Sequence, residues 1–277
     1  MPPATRRRAR VVPALVTAFA LAAASPPARS EDPAAAPKYG PPGAPYAVPL
    51  SKDHAYLSDG THEAPDFWAL MPYYVPQAND ASCSVASVAI VVNGLVRAGR
   101  ALGNMDRNAT QSELVDRVRV EHWKERVGNR GYHREHGLTL SRLKAVTEAS
   151  LAAFGARDVA VDLVDAGAAG ATGLEAFRQV LSVNERTASD FVMLHFVQDA
   201  VTAAPGGPYA HISPVGAYDA ERRRVLVLDV DREWSEPYWV ADDVLWRAMM
   251  RKTPAFGSGG YLWIRTAPGA AGGTTAR

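Results

Sequence analysis

One stretch constrains the fold of this chain more than any other. From Val85 to Val96 almost every position is apolar: Val85, Ala86, Val88, Ala89, Ile90, Val91, Val92, Leu95 and Val96 follow one another with only Ser87, Asn93 and Gly94 between them. A helix that is apolar on every side has no face to offer water, so it belongs at the centre of a domain. Asn79, Asp80 and Ser82 just upstream are each able to cap such a helix, and Gly99 is a natural stop. The only cysteine of the 277 residues, Cys83, falls in the first turn of this predicted helix. There the positive end of the backbone dipole favours an anion.

A lone thiol has two readings. Free cysteine is one of the most buried residue types and serves as a small core side chain. It is also a nucleophile when a base lies beside it. Gln77, shortly before Cys83, bears on the choice, because a side-chain amide there can share an oxyanion with the main-chain N–H of the cysteine. The nucleophile reading then needs a histidine and an orienting acid elsewhere. A single cysteine excludes an internal disulfide framework and a multi-cysteine metal site. A formal net charge of +1 gives no electrostatic reason to expect nucleic acid or an acidic membrane as partner.

The ends of the chain read as processing and linker segments. Arg6, Arg7, Arg8 and Arg10 precede an apolar run from Val11 to Ala24, and Ala28-Arg29-Ser30 supplies small residues before Glu31. Residues 1–30 therefore read as a secretory signal peptide, with export to a bacterial periplasm and no stable membrane association after cleavage; an uncleaved anchor is the alternative. Residues 31–57 are expected to be a disordered lead-in rich in Pro and Ala, and residues 267–277 a disordered tail of small residues.

Between them, the pattern predicts helices first and a sheet last. Thr110 with Glu113 forms a capping-box signature for a helix running to Arg126. Thr139 caps a second helix through Leu143, Val146 and Leu151, and residues 173–183 form a third, amphipathic one. Residues 159–164, 191–197, 211–218, 225–230 and 261–264 read as strands, with a polar turn at residues 219–224. This is an α+β order. His54 and His62 read as surface residues and His195 as a satisfied core histidine. His122, His133 and His136 do not have the spacing of a zinc helix, so no metal site is expected.

His211 opens the first strand of the hairpin and Asp229 lies near the end of the second. An odd-numbered connecting loop puts them on one face, and a three-residue loop puts them directly opposite each other. Taken alone, they also fit a structural histidine and a strand-end acid bound by backbone amides.

Taken in order with Cys83, they are more specific. Gln77-x5-Cys83-x-Val-Ala-Ser87, then His211-Ile-Ser-Pro-Val-Gly-Ala-Tyr218-Asp219, then Leu228-Asp229-Val230-x-Arg232 and Pro237-x-Trp239-Val240, closely resemble the phytochelatin synthase family. Gly137-Leu-Thr-Leu140 and Leu245-Trp246-x-Ala248-Met249 add to the resemblance, which covers about residues 58–266. It implies a papain-like cysteine protease fold for residues 58–266, with an N-terminal helical part, a central nucleophile helix and a C-terminal antiparallel sheet. It implies Cys83 as nucleophile, His211 as general base and acid, Asp229 as orienter and Gln77 as oxyanion donor. Arg232 would hold the substrate carboxylate, and Ser84, where the family usually has Gly, would border the acyl pocket. The implied reaction cleaves the Cys–Gly bond of glutathione through a γ-Glu-Cys thioester, which goes to water or to a second glutathione. No cofactor is required, and cadmium or zinc acts through metal–glutathione thiolates. Glutathione and γ-glutamyl peptides are the implied partners, and a homodimer is the form common among short bacterial members. Two other readings stay open on the sequence: a non-catalytic module binding γ-glutamyl thiols, and a papain-like peptidase of other specificity.

Overall fold

The computed structural model describes residues 47–95, 108–156, 158–204, 206–231 and 236–266. The signal segment at residues 1–30, the helix stop at Gly99, Arg232 and the tail at residues 267–277 lie outside the described residues. No helix among the described residues is long and apolar enough to cross a membrane.

The architecture is α+β, built on one antiparallel sheet of seven strands. In chain order these are β1 (Val48–Pro49), β2 (Val159–Asp165), β3 (Asp190–Val197), β4 (Ala210–Asp219), β5 (Arg224–Val227), β6 (Tyr238–Ala241) and β7 (Gly260–Thr266). In space they run β1-β6-β5-β4-β3-β7-β2. All eight residues of β3 are buried, as its unbroken FVMLHFV run predicts. The reason is that helices cover both faces of the sheet. Phe191 and Met193 join one core with the Cys83–Leu95 helix and the Leu140–Ala153 helix. Val192, Leu194 and Phe196 face the other, formed with Phe177 and Leu181 of the Gly173–Asn184 helix and with Leu245 and Met249 of the Asp242–Met250 helix.

The central helix spans Cys83–Leu95 and all thirteen of its residues are buried. It is fixed to the sheet by polar contacts as well as packing. The Ser87 hydroxyl donates to the main-chain oxygen of Ile212, at 2.9 Å, beside the start of β4. Caps form where the sequence places them: Thr110 and Glu113 make a reciprocal capping box, and the Thr139 side chain accepts from the Arg142 N–H.

Three expectations are corrected. The lead-in was expected to run to residue 57, yet residues 47–57 are structured. Val48 pairs with Trp239, and Ala55–Ser58 is a short helix whose Tyr56 is buried against the Trp239 ring. The helix expected to run from Thr110 to Arg126 is two pieces, Gln111–Arg117 and Trp123–Arg126. Val118 between them is extended, and Glu121 and His122 are left-handed. The β-branched residues Val118 and Val120 weaken the helix there. Finally, helices and strands interleave at the C-terminal end: β6 and the Asp242–Met250 helix lie between β5 and β7. Asp242 ties that helix to its neighbour by accepting two hydrogen bonds from Arg178, both at 2.8 Å.

Candidate active site

The central helix begins at the thiol, so Cys83 stands where the first-turn N–H groups have no intrahelical acceptor. His211 comes from the second position of β4 and lies opposite Phe196 of β3, whose ring meets the imidazole edge-on at 5.8 Å. Asp229 lies just past the end of β5 and is fully buried. The three side chains come together. His211 Nε2 is 2.9 Å from Asp229 Oδ1, and Cys83 adjoins the same ring closely enough to help raise its pKa. With Nε2 taken by the carboxylate, Nδ1 is the nitrogen left for the thiol.

The electrostatics of the group follow from its burial. Desolvation alone would push the His211 ring towards its neutral form. The Asp229 charge, its hydrogen bond and the adjoining Cys83 outweigh that, and hold the imidazole well above its ordinary range, at about 10. His211 is therefore a protonated ring held against the Asp229 carboxylate. His195, on the neighbouring strand, has no such compensation. Burial pushes it down to about 4, and it is neutral. Its Nε2 meets the Leu138 carbonyl oxygen at 3.0 Å, while Nδ1 has no partner. It is a core histidine as expected, but only half satisfied.

The connection between His211 and Asp229 differs from a simple hairpin. Asp219 pairs with Arg224, closing a loop of four residues, 220–223, an even number. In plain register that would turn Asp229 to the face opposite His211. A bulge between Val215 and Ala217 restores the match: Val215 pairs with Val227, and Ala217 already pairs with Leu226. The extra residue is Gly216. A Cβ there would stand 2.8 Å from Cδ2 of the fully buried Leu228.

Four more groups hold the acid in place. The Asp231 N–H donates to Asp229 Oδ1 at 2.8 Å, and Gln198 Nε2 donates to Asp229 Oδ2 at 3.1 Å. The Tyr74 hydroxyl donates to the Asp229 main-chain oxygen, and Gln77 N–H donates to the Val230 carbonyl at 2.7 Å. That last bond fixes the Gln77 backbone next to the residue that follows Asp229. Gln77 is buried, and its Oε1 turns inward, where no group donates to it. It also lines the cleft, so the amide NH2 is the end available to a ligand.

The cleft has a volume of about 850 Å³, the size of a small-molecule site. Cys83 and His211 lie in its wall, with Gln77, Gln198, Asp231 and Tyr209 among the residues around them. Ser84 is not among its lining residues. It is buried inside the helix packing, and its hydroxyl accepts the Trp123 indole N–H at 2.9 Å. The expectation that Ser84 borders the acyl pocket is thus corrected: one step along a helix rotates a side chain by about 100°, away from the face that carries the thiol. His122 stacks on Tyr132 at 3.8 Å, and His136 lines the cleft. Gln198 was missed in the sequence. The signal was the change from eight buried strand residues to a polar side chain at the strand end.

With this geometry in view, comparison with known proteins decides the family. A profile of phytochelatin synthase matches residues 49–261, most of the chain. The chain belongs to the phytochelatin synthase family. Among its curated relatives is glutathione gamma-glutamylcysteinyltransferase 3 of Lotus japonicus, 27% identical over 229 residues, or 75% of this chain. Another is glutathione gamma-glutamylcysteinyltransferase 2 of Arabidopsis thaliana, 28% identical over 194 residues, or 70% of this chain. The matches cover 39% and 37% of those relatives, so this phytochelatin synthase family chain spans about two fifths of their length. Among solved structures, the peptidase domain of Streptococcus ComA, a bifunctional ABC transporter, aligns with 69% of this chain and 96% of its own. Its identity is 11% and its TM-score 0.37, too low to add to the description of the fold.

Proposed function

We propose that this family member is a thiol acyl-transfer enzyme of papain-like design acting on glutathione. The observation that carries the reading is the His211–Asp229 pair at 2.9 Å, with Cys83 adjoining the ring and both Cys83 and His211 opening on the cleft. The relatives' names, glutathione gamma-glutamylcysteinyltransferase, supply the substrate class.

In this reading His211 holds the Cys83 proton, and the thiolate attacks the carbonyl between cysteine and glycine of glutathione. The developing oxyanion is met by the Gln77 NH2 and the Cys83 main-chain N–H, each donor lowering the barrier by ~3 kcal/mol. The C–N bond breaks as His211 gives its proton to the leaving glycine amine. A γ-glutamylcysteinyl thioester remains on Cys83. Water, deprotonated by His211, then attacks the thioester carbonyl and releases γ-Glu-Cys with the thiol restored. When the amine of a second glutathione attacks instead, the product is the longer γ-glutamylcysteinyl peptide. Hydrolysis, with water as the acceptor, is the main outcome we infer. Asp229 keeps the imidazole oriented, and the four groups around it keep the acid oriented. Cadmium or zinc enters only as thiolate complexes of the substrate. Arg232, three residues beyond Asp229, is the proposed fork for the glutamyl carboxylate. We also infer export, from the Arg-rich and apolar N-terminal pattern.

Free glycine is the product that separates this reading from a binding module and from a peptidase of other specificity. The expected result is steady release of glycine from glutathione by the protein, and none by Cys83→Ala. A wild-type protein that binds glutathione for hours without releasing glycine would sink the reading.

A further inference from the structure

A second groove, of about 470 Å³, lies between the Gly173–Asn184 helix and the turn from β4 to β5. Glu175, Arg178, Ser182 and Arg186 line it at spacings of three or four residues, so they run along one ridge of the helix and just past its end. Arg223 faces them from the turn. The three consecutive arginines there divide. Arg222 and Arg224 both turn to Asp219, at 3.4 and 3.0 Å, whereas Arg223, in a left-handed backbone conformation, lines the groove. Arg178 donates to both oxygens of Asp242 at 2.8 Å and has Glu175 at 3.5 Å. Arg186 and Arg223 are exposed, and among the described residues neither is paired with a carboxylate. Glu185, beside Arg186, turns its carboxylate elsewhere: it accepts from the Tyr56 hydroxyl at 3.0 Å and from the Tyr218 N–H at 2.6 Å. Glu175 is the one carboxylate in the groove lining, against three guanidinium groups.

The geometry points to a binding site for a small phosphomonoester in this groove, held by Arg186 and Arg223. It shares no lining residue with the cleft of Cys83, so it does not depend on the acyl-transfer reading. A guanidinium is a planar fork that binds two oxygens side by side. One carboxylate has oxygens for one fork only. The phosphoryl end of a phosphomonoester has three, enough for two forks approaching from the helix end and from the turn. A bare phosphate would leave most of the groove empty. The exposed Val183 side chain gives the organic part an apolar surface, and the Gln179 amide gives it a polar partner.

The test is calorimetry of the full-length protein at low salt with phenyl phosphate, inorganic phosphate and benzoate as probes. Phenyl phosphate is expected to bind about tenfold tighter than either of the others. Arg186→Gln and Arg223→Gln should each weaken it about tenfold, whereas Arg222→Gln, whose guanidinium faces Asp219, should leave it unchanged. Glu175→Gln should tighten it, because the carboxylate that opposes the anion is gone. The two arginines are exposed, so their variants should melt with the wild type. No binding of phenyl phosphate overturns the proposal, and so does binding that survives both arginine substitutions. Equal affinity for inorganic phosphate would mark a site for the ion only, and equal affinity for benzoate a merely cationic surface; either overturns it. Capture of the protein by phosphatidylglycerol vesicles, with phenyl phosphate not bound, would make this face a membrane contact and contradict the proposal.

Discussion

Asp229→Asn is expected to slow acylation of Cys83 by ~10³ to 10⁴ while the protein still folds. Asparagine has almost the shape of aspartate, so the buried site stays filled. What changes is the charge that faces His211 Nε2 at 2.9 Å. The imidazole then loses the partner that fixes its tautomer and supports its protonated form. The same substitution has a signature in stability. The His211 pKa is raised in the folded protein from its ordinary 6.5 to about 10. A raised pKa means that folding favours the protonated ring. That contribution is fully present below pH 6.5 and is lost as pH rises through about 10. Thermal melts of the wild type should therefore show stability falling across that window from this group. Asp229→Asn should flatten the fall. A variant with wild-type acylation, or with an unchanged slope between these pH values, would show that the carboxylate does not govern the histidine.

Gly216→Val is the second large effect, and it acts through the backbone. The bulge at Gly216 places Asp229 on the face of His211, and it fits only because no Cβ is present. A valine there drives its Cβ to 2.8 Å from Leu228 Cδ2 and 3.0 Å from Leu228 Cγ. Leu228 is wholly buried and adjoins Asp229 in sequence, so its displacement moves the acid. Overpacking of this kind costs about 3 kcal/mol, read as a lower urea midpoint. Acylation should fall more than tenfold in the fraction that remains folded, since a small displacement of the triad is enough. Gly216→Ala is the milder member of the pair and should lie between the two. Wild-type stability and acylation in Gly216→Val would contradict the role given to the bulge.

That bulge also marks the limit of what the sequence makes legible. The all-round apolar run after Cys83 leads to a buried helix, and the structure has it, beginning at the thiol. The capping residues Thr110 and Thr139 and the buried strand at residues 190–197 are equally plain, because each signal is local. The His211–Asp229 contact is not local. Its parity depends on the sum of loop length and bulge, and a three-residue loop would have reached a similar juxtaposition by another route. β6 is only four residues long, too short for alternation to be read. The Asp242–Met250 helix did carry a signal, in the acidic first turn Asp242-Asp243 followed by apolar Val244, Leu245, Ala248 and Met249. Ser84 shows the opposite failure. Its place beside the nucleophile in sequence suggested the acyl pocket, whereas Trp123 holds it in the core. Gln198 and Asp231 became visible only in the fold, where the segment after β3 meets the segment after β5 across the start of β4.

The thioester on Cys83 is the step on which the proposed reaction depends. Intact-mass spectrometry after brief mixing of the full-length protein with glutathione, quenched in acid, measures it directly. The account predicts a mass gain of one γ-glutamylcysteinyl group on the wild type, with one glycine released per adduct, and no gain on Cys83→Ala. An unchanged wild-type mass together with no free glycine, or the same adduct on Cys83→Ala, would contradict it.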